Sequence, residues 1–130
     1  MSDQAPAGRT AAARRRTVGA RGEAVAARYL TDRGFEILDR NVRVGHLELD
    51  LIARRNRLLV VCEVRARSSD RIAHPAETID AHKIERVRRG AARWLAEHPE
   101  LGSLHTRVDA AAIVFDGPGG APRIEYYEDV

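Results

Sequence analysis

Two short runs hold the densest group of reactive side chains in the sequence, Glu48-Leu49-Asp50 and Glu63-Val64-Arg65. They fall on neighbouring strand-like segments separated by the polar turn Arg55-Asn56-Arg57. A hairpin closed at that turn lets Asp50 and Glu63 approach across the ladder on one face. Carboxylates so placed repel unless something positive balances them. A hard divalent cation such as Mg²⁺ or Mn²⁺ would do so, taking oxygen ligands from one or two carboxylates and completing its shell with water and substrate phosphate. Such an ion polarises a phosphodiester and activates a water for attack. The alternative is an arginine balance, in which Glu48, Asp50, Glu63 and Arg65 form a surface ion-pair ladder with no chemistry. Acids alternating with leucines describe any half-exposed strand equally well.

The elements that must position these groups read as helix, three strands, helix, two strands. Over residues 18–33, Val18, Val25, Ala26, Tyr29 and Leu30 fall on one side at the helical step of about 100° per residue. Gly34 supplies a left-handed stop, and Glu23 projects at the edge of the stripe toward a neighbouring sheet. Residues 35–40 read as a short strand. Residues 47–54 read as a longer one in which Leu47, Leu49 and Leu51 alternate with Glu48, Asp50 and Ile52, so that Glu48 and Asp50 share a face. In the strand over 58–66, Val61, Glu63 and Arg65 share one face and Val60, Cys62 and Val64 the other. A polar loop over 67–77 leads to a helix over 79–97, stopped by Pro99, with Ile84, Val87, Ala91, Trp94 and Leu95 as its buried stripe. A strand over 105–115 and a loop over 116–120 close a hairpin onto 123–127. The fold class is α/β, a mixed central sheet with both helices on one face or one on each.

Charge is unevenly spread. The 130 residues carry 22 basic and 19 acidic side chains, a net +3. Arg9, Arg14, Arg15, Arg16 and Arg21 stand against Asp3, so the first 21 residues hold +4 and the remainder −1. Residues 1–16, rich in Ala, Gly, Pro and Arg without apolar periodicity, are expected to be a flexible basic arm, and residues 17–130 a single domain. Within that domain His82, Arg86, Arg89 and Arg93 make a ridge on one helix face. With Arg67 and Arg71 on the preceding loop, it suits a phosphate backbone, each neutralised phosphate steepening the log-log salt dependence by roughly 0.9. A solvated helix face has the same pattern. Lys83, the one lysine in the sequence, lies at the margin of the buried stripe.

Several function classes are excluded. The lone Cys62 cannot form an internal disulfide, suits a reducing cytoplasm and lies in an apolar run as a core residue. No apolar run approaches the roughly 18–20 residues of a membrane span, and no apolar segment follows the basic N-terminal stretch, so neither membrane nor export is expected. The five histidines lack zinc-type spacing. No Gly-rich phosphate cradle precedes a helix. Tyr126 and Tyr127 sit among acids and read as strand packing rather than a base-stacking platform.

Taken in order, Gly22-Glu23-x-x-Ala26-x-x-Tyr29-Leu30, Gly34-Phe35, Asn41-x-Arg43, Glu48-Leu49-Asp50-Leu51-Ile52, Glu63-Val64-Arg65-x-Arg67, Lys83 and Ala91-x-x-Trp94-Leu95 resemble the YraN-type family. That is a bacterial family of small, largely uncharacterised proteins in the restriction-endonuclease-like, PD-(D/E)xK nuclease superfamily. The resemblance implies a mixed central sheet flanked by helices, with a metal site at one end of the second and third strands and Mg²⁺ or Mn²⁺ as cofactor. It makes Asp50 the first metal-binding carboxylate and Glu63 the second. Glu23 matches an acid that helps hold the metal in related junction resolvases, and Glu48 is the acid of the family's Gly-Glu-Ile-Asp motif. Lys83 falls near the site by the same likeness. The implied activity is cleavage of DNA, with branched junctions as a substrate class. Junction-cleaving relatives act as symmetric dimers, so a homodimer is implied, although no segment announces a dimer surface.

Two departures bear on activity. The family's Glu-Val-Lys is here Glu63-Val64-Arg65, and Leu47 stands where a glycine normally precedes Glu48, with Gly45 two positions earlier. Arginine binds phosphate and stabilises charge in a transition state, but with a pKa above about 12 it cannot serve as a base. A side chain at Leu47 narrows the approach of backbone to phosphate. Two further readings therefore stand beside the nuclease: a nucleic-acid-binding module that has lost cleavage, and a protein-interaction protein with a vestigial site.

Overall fold

The computed structural model describes residues 11–68, 80–116 and 121–130, with side chains from residue 17 onward. Helix α1 (Ala11–Asp32) is followed by β1 (Glu36–Val44), β2 (Leu47–Arg55) and β3 (Leu58–Ser68), then α2 (Ala81–Ala96), a short 3₁₀ turn (Pro99–Leu101), β4 (His105–Phe115) and β5 (Pro122–Tyr127). The five strands form one sheet in the order β1-β2-β3-β4-β5. Every pair is antiparallel except β3 with β4. Parallel neighbours cannot be joined by a tight turn, so the chain crosses over between them, and α2 lies on that crossover.

One helix covers each face. Ala26 and Leu30 of α1 pack with Leu51, Val60, Cys62 and Ile113. Val87 and Trp94 of α2 pack with Leu49, Ile52, Leu59 and Val61 on the opposite side. Coverage on both faces explains why β3 reads as an almost unbroken apolar run. Cys62 is buried within it, and burial pushes its thiol well above the usual range, so it is a core residue rather than a nucleophile. Gly34 ends α1 with φ +88°, and Phe35 N–H donates to Leu30 O at 3.0 Å.

Several boundaries and faces differ from those read in the sequence. Helix α1 begins at Ala11, inside the segment expected as an arm, because an Ala-Ala-Ala-Arg-Arg-Arg run has high intrinsic helix propensity. The remainder of that segment, residues 1–10, lies outside the described residues, as do Arg71 with most of its loop and the turn over 117–120. Strand β1 continues to Val44, since residues 42–44 pair in register with 47–49 of β2. Arg67 is not on a loop. Pairing of β3 with β4 persists to Ser68↔Phe115 and carries Arg67 with it. Leu47, Leu49 and Leu51 do not share a face either: Leu49 packs beneath α2 and Leu51 beneath α1, so the alternation breaks at Asp50.

The approach of α1 to β3 is set by Gly22, where an added Cβ would overlap the Ala66 Cβ. Gly22→Ala should therefore destabilise the protein by about 1–3 kcal/mol, the usual cost of overpacking. Urea unfolding checks this, and a midpoint equal to that of the wild type would show that the helix has room to shift.

Candidate functional site

Strands β2 and β3 separate at Asp50. Their ladder runs from Arg55↔Leu58 to Leu51↔Cys62. Beyond it, the Val64 N–H donates to Asp50 Oδ2 at 2.8 Å. A side-chain oxygen thus replaces a missing backbone acceptor, satisfying a buried amide and holding the acid in the cleft between the strands. Glu63 precedes Val64 by one residue. Val61 packs under α2 while Cys62 and Val64 pack under α1, so strand alternation directs Glu63 to the α2 face. Its side chain is 1% exposed, and Asp50 is 9% exposed.

Two cations reach the same oxygen of Glu63. Lys83 Nζ lies 3.3 Å from Oε1 and Arg65 Nη2 lies 3.6 Å from it. Lys83 is delivered by the first turn of α2, whose N-cap, Asp80, accepts the Lys83 N–H at 2.8 Å. Glu63 Oε2 is buried and without a hydrogen-bond partner among the described residues. From the α1 side comes half-buried Glu23, near Asn41, which favours its charged form, and close enough to Asp50 and Glu48 for their charges to oppose its own. Glu48 is exposed.

The three inward acids shift in one direction. Burial, reinforced by the Asp50 charge, pushes Glu63 up to about 7 against the pull of Lys83 and Arg65. Burial raises Asp50 as well, outweighing the Val64 hydrogen bond and the same two cations. Glu23 rises through burial and then the Asp50 charge. Acids that all resist ionisation together form an under-balanced site, which a proton or a cation relieves. An all-oxygen donor set suits a hard cation, and Glu63 Oε2, which has no hydrogen-bond partner among the described residues, supplies a ligand atom. Among the described residues no group of three or more His, Cys, Asp or Glu gathers to hold a metal ion. The geometry assembles a pair, Asp50 and Glu63, with Glu23 adjacent and Glu48 at the rim.

A second buried acid gives the contrast. Asp109, fully buried on β4, accepts from Arg107 Nε and Nη2 at 2.8 and 2.9 Å, from the Tyr126 hydroxyl at 2.6 Å and from the Asp129 N–H at 2.9 Å. Every oxygen of that carboxylate is used, and it fastens the end of β5 to the sheet. Tyr126 also stacks on Tyr29 with ring centroids 4.6 Å apart, so it packs as expected, whereas Tyr127 is exposed. An acid whose lone pairs are all occupied is structural, and one with a bare oxygen calls for another explanation.

The remaining site residues divide by location. Arg86, Arg89 and Arg93 are exposed along α2, as is His82. Arg67 is half-buried two residues beyond Arg65 on β3. Lys83 belongs with the acids rather than with the ridge. Two participants went unnoticed in the sequence. Asp80 had a signal, an acidic residue immediately before an amphipathic helix. His46 had none beyond its residue type, whereas Asn41, at φ 52°, was quoted only as part of a motif and given no role.

A five-stranded mixed sheet with one helix on each face and a carboxylate pair where two central strands part is an α/β architecture of the restriction-endonuclease-like kind. The chain belongs to the uncharacterised protein family UPF0102, whose model matches residues 22–113. It is 52% identical over 110 residues to a UPF0102 protein of Frankia casuarinae, covering 84% of this chain and 91% of that one. A UPF0102 protein of Beutenbergia cavernae is 43% identical over 113 residues, covering 87% and 94%. Another, of Streptomyces coelicolor, is 38% identical over 117 residues, covering 89% of each. Among the described residues no helix is long and apolar enough to cross a membrane.

The Glu63 shift fixes a pH dependence. A carboxyl raised from 4.5 to about 7 on folding favours its neutral form in the native state. Its contribution to stability is therefore full below pH 4.5 and is lost as pH rises through about 7. Replacing it with a neutral isostere removes that loss. The melting temperature of Glu63→Gln relative to wild type should climb between pH 5 and pH 8 in metal-free buffer, and a flat difference across that window would contradict the shift.

Proposed function

We propose that this protein is a metal-dependent, PD-(D/E)xK-type nuclease acting on DNA, with branched, junction-like structures as its substrate class. The observation that carries this reading is the buried pair Asp50 and Glu63, where one acid is held by a backbone amide and the other, beside two cations, keeps an oxygen bare among the described residues. Asp50 and Glu63 would hold Mg²⁺ or Mn²⁺, with Glu23 and Glu48 assisting directly or through water. Bound there, the ion supplies polarisation of the phosphodiester and a more acidic water.

The chain's own groups do the rest. Arg65 and Lys83 neutralise Glu63 and face a phosphate entering the cleft, where fixed positive charge stabilises the developing charge on its oxygens. Arg65 stays protonated and donates hydrogen bonds without acting as a base. The exposed arginines of α2, with Arg67, extend positive charge away from the acids along the path of a phosphate backbone. Pairing two copies about a two-fold axis would match a symmetric junction. A reduced, buried Cys62 is in keeping with work in the cytoplasm.

A second reading has its own support. Glu63 is already met by two cations, and one is an arginine where the family motif has lysine. A domain that binds DNA without cutting it fits that balance.

Cleavage of labelled duplex, single-stranded and four-way-junction DNA with Mg²⁺ or Mn²⁺ separates the two. Asp50→Ala and Glu63→Ala should each lower the rate by at least about a hundredfold, as expected for loss of several kcal/mol of charge stabilisation. Equal residual cutting by wild type and both variants would mark contamination and sink the nuclease assignment. Activity appearing only in Arg65→Lys would favour the binding module.

A further inference from the structure

The turn joining β1 to β2 leans against the middle of α2, and the two enclose a groove of about 430 Å³ beyond the acid pair. Two glycines allow the approach. Gly45 occupies the turn at φ +64°, and a Cβ there would lie 2.9 Å from Arg93 Nη1. A Cβ on Gly90 would lie 2.7 Å from Leu47 Cδ2. Any larger residue at either position would push the turn from the helix or displace the side chain it faces.

The lining is of two kinds. Val44, Leu47 and Gly90 give an apolar floor, while Arg86, Arg89 and Arg93 from the helix and His46 from the turn stand around it. Among the described residues no carboxylate forms an ion pair with any of the three arginines. The three guanidinium groups and the imidazole are planar and exposed. A duplex presents only phosphates and groove edges to a surface of this size, and it leaves an apolar floor uncovered. An unpaired strand presents both a phosphate chain for the cations and base faces for the floor and the flat side chains.

We propose that this groove is a binding site for an unpaired DNA strand, led along α2 from the acid pair near Lys83 toward Arg93. The choice of DNA rests on the reading of the acid site as a nuclease centre, but binding in the groove requires neither metal nor cleavage. The turn and helix thus act as a strand guide. On a branched substrate, the guide would take one single-stranded arm.

Anisotropy of labelled oligothymidylate, without metal and across a salt series, tests the groove independently of cutting. Arg89→Ala with Arg93→Ala should reduce the log-log salt slope by roughly 0.7 for each phosphate no longer neutralised. His46→Ala should weaken binding roughly fivefold or more with a smaller change in slope than the arginine substitutions, as expected when a flat stacking surface is removed. Arg57→Ala, at the β2–β3 turn, should change neither. Strand binding by wild type with no cleavage of any DNA would leave the groove assigned and remove the nuclease reading. Metal-dependent cleavage with strand affinity untouched by the groove substitutions would do the reverse. The proposal is also overturned if duplex binds as tightly and responds equally to the substitutions, if oligouridylate binds more tightly than oligothymidylate, or if no strand binds at low salt. The substituted side chains are all exposed, and matching thermal melts would establish that each variant is folded.

Discussion

A single hydrogen bond, from the Val64 amide to the Asp50 carboxylate, fixes where the sheet opens and therefore where everything else must stand. With β4 paired along the whole of β3, the central strand cannot follow β2 as it departs. The amide left behind must find an acceptor, and in a sheet covered on both faces that acceptor has to come from the protein. An acidic residue at this position satisfies the amide and also carries a charge into an interior that opposes it. Glu63, adjacent in sequence to that amide and nearly fully buried, compounds the opposition. Lys83 and Arg65 offset it in part, and among the described residues one oxygen is left over. The backbone requirement and the chemical potential of the site have the same origin.

The cationic side is divided between two residue types with different capacities. Arginine accounts for every basic side chain but one, and the exception stands 3.3 Å from Glu63. An ammonium is a compact point charge with three rotatable donors, whereas a guanidinium is a fixed planar fork. Lys83 reaches Glu63 from the first turn of α2 at 3.3 Å and Arg65 from two residues along β3 at 3.6 Å, so the buried carboxylate meets one cation of each kind, from the helix and from its own strand.

How much of this was legible in the sequence depended on whether a pattern had one cause or two. The faces of β3 were readable because Val61, Glu63 and Arg65 alternate cleanly with Val60, Cys62 and Val64. The faces of β2 were not, because helices cover both sides, so apolar residues occur at both parities and the break at Asp50 leaves no trace in composition. Element order and the stripe of α2 followed from periodicity. The azimuth of α2 over the sheet did not, since it is set by the crossover and by the close approach of Gly90 to Leu47. The proximity of Asp50 and Glu63 followed from a tight polar turn, whereas Lys83 arriving at Glu63 is a tertiary fact. Arg67 was misplaced because strand pairing with β4, invisible locally, extends β3 into the polar residues that follow it.

The parallel pairing of β3 with β4 also has a kinetic consequence. Strands β1 to β3 form a meander of tight connections, so their ladder closes at small entropic cost, and Asp50 and Glu63 come together with it. Pairing of β3 with β4 must wait for the ends of a much longer loop to meet, and α2 can dock only as that loop closes. The acids are therefore neighbours before their principal counter-charge arrives. During that interval the half-formed sheet holds its own carboxylates apart from any cation of the second helix, and the burial that raises both acids is completed only when that helix docks.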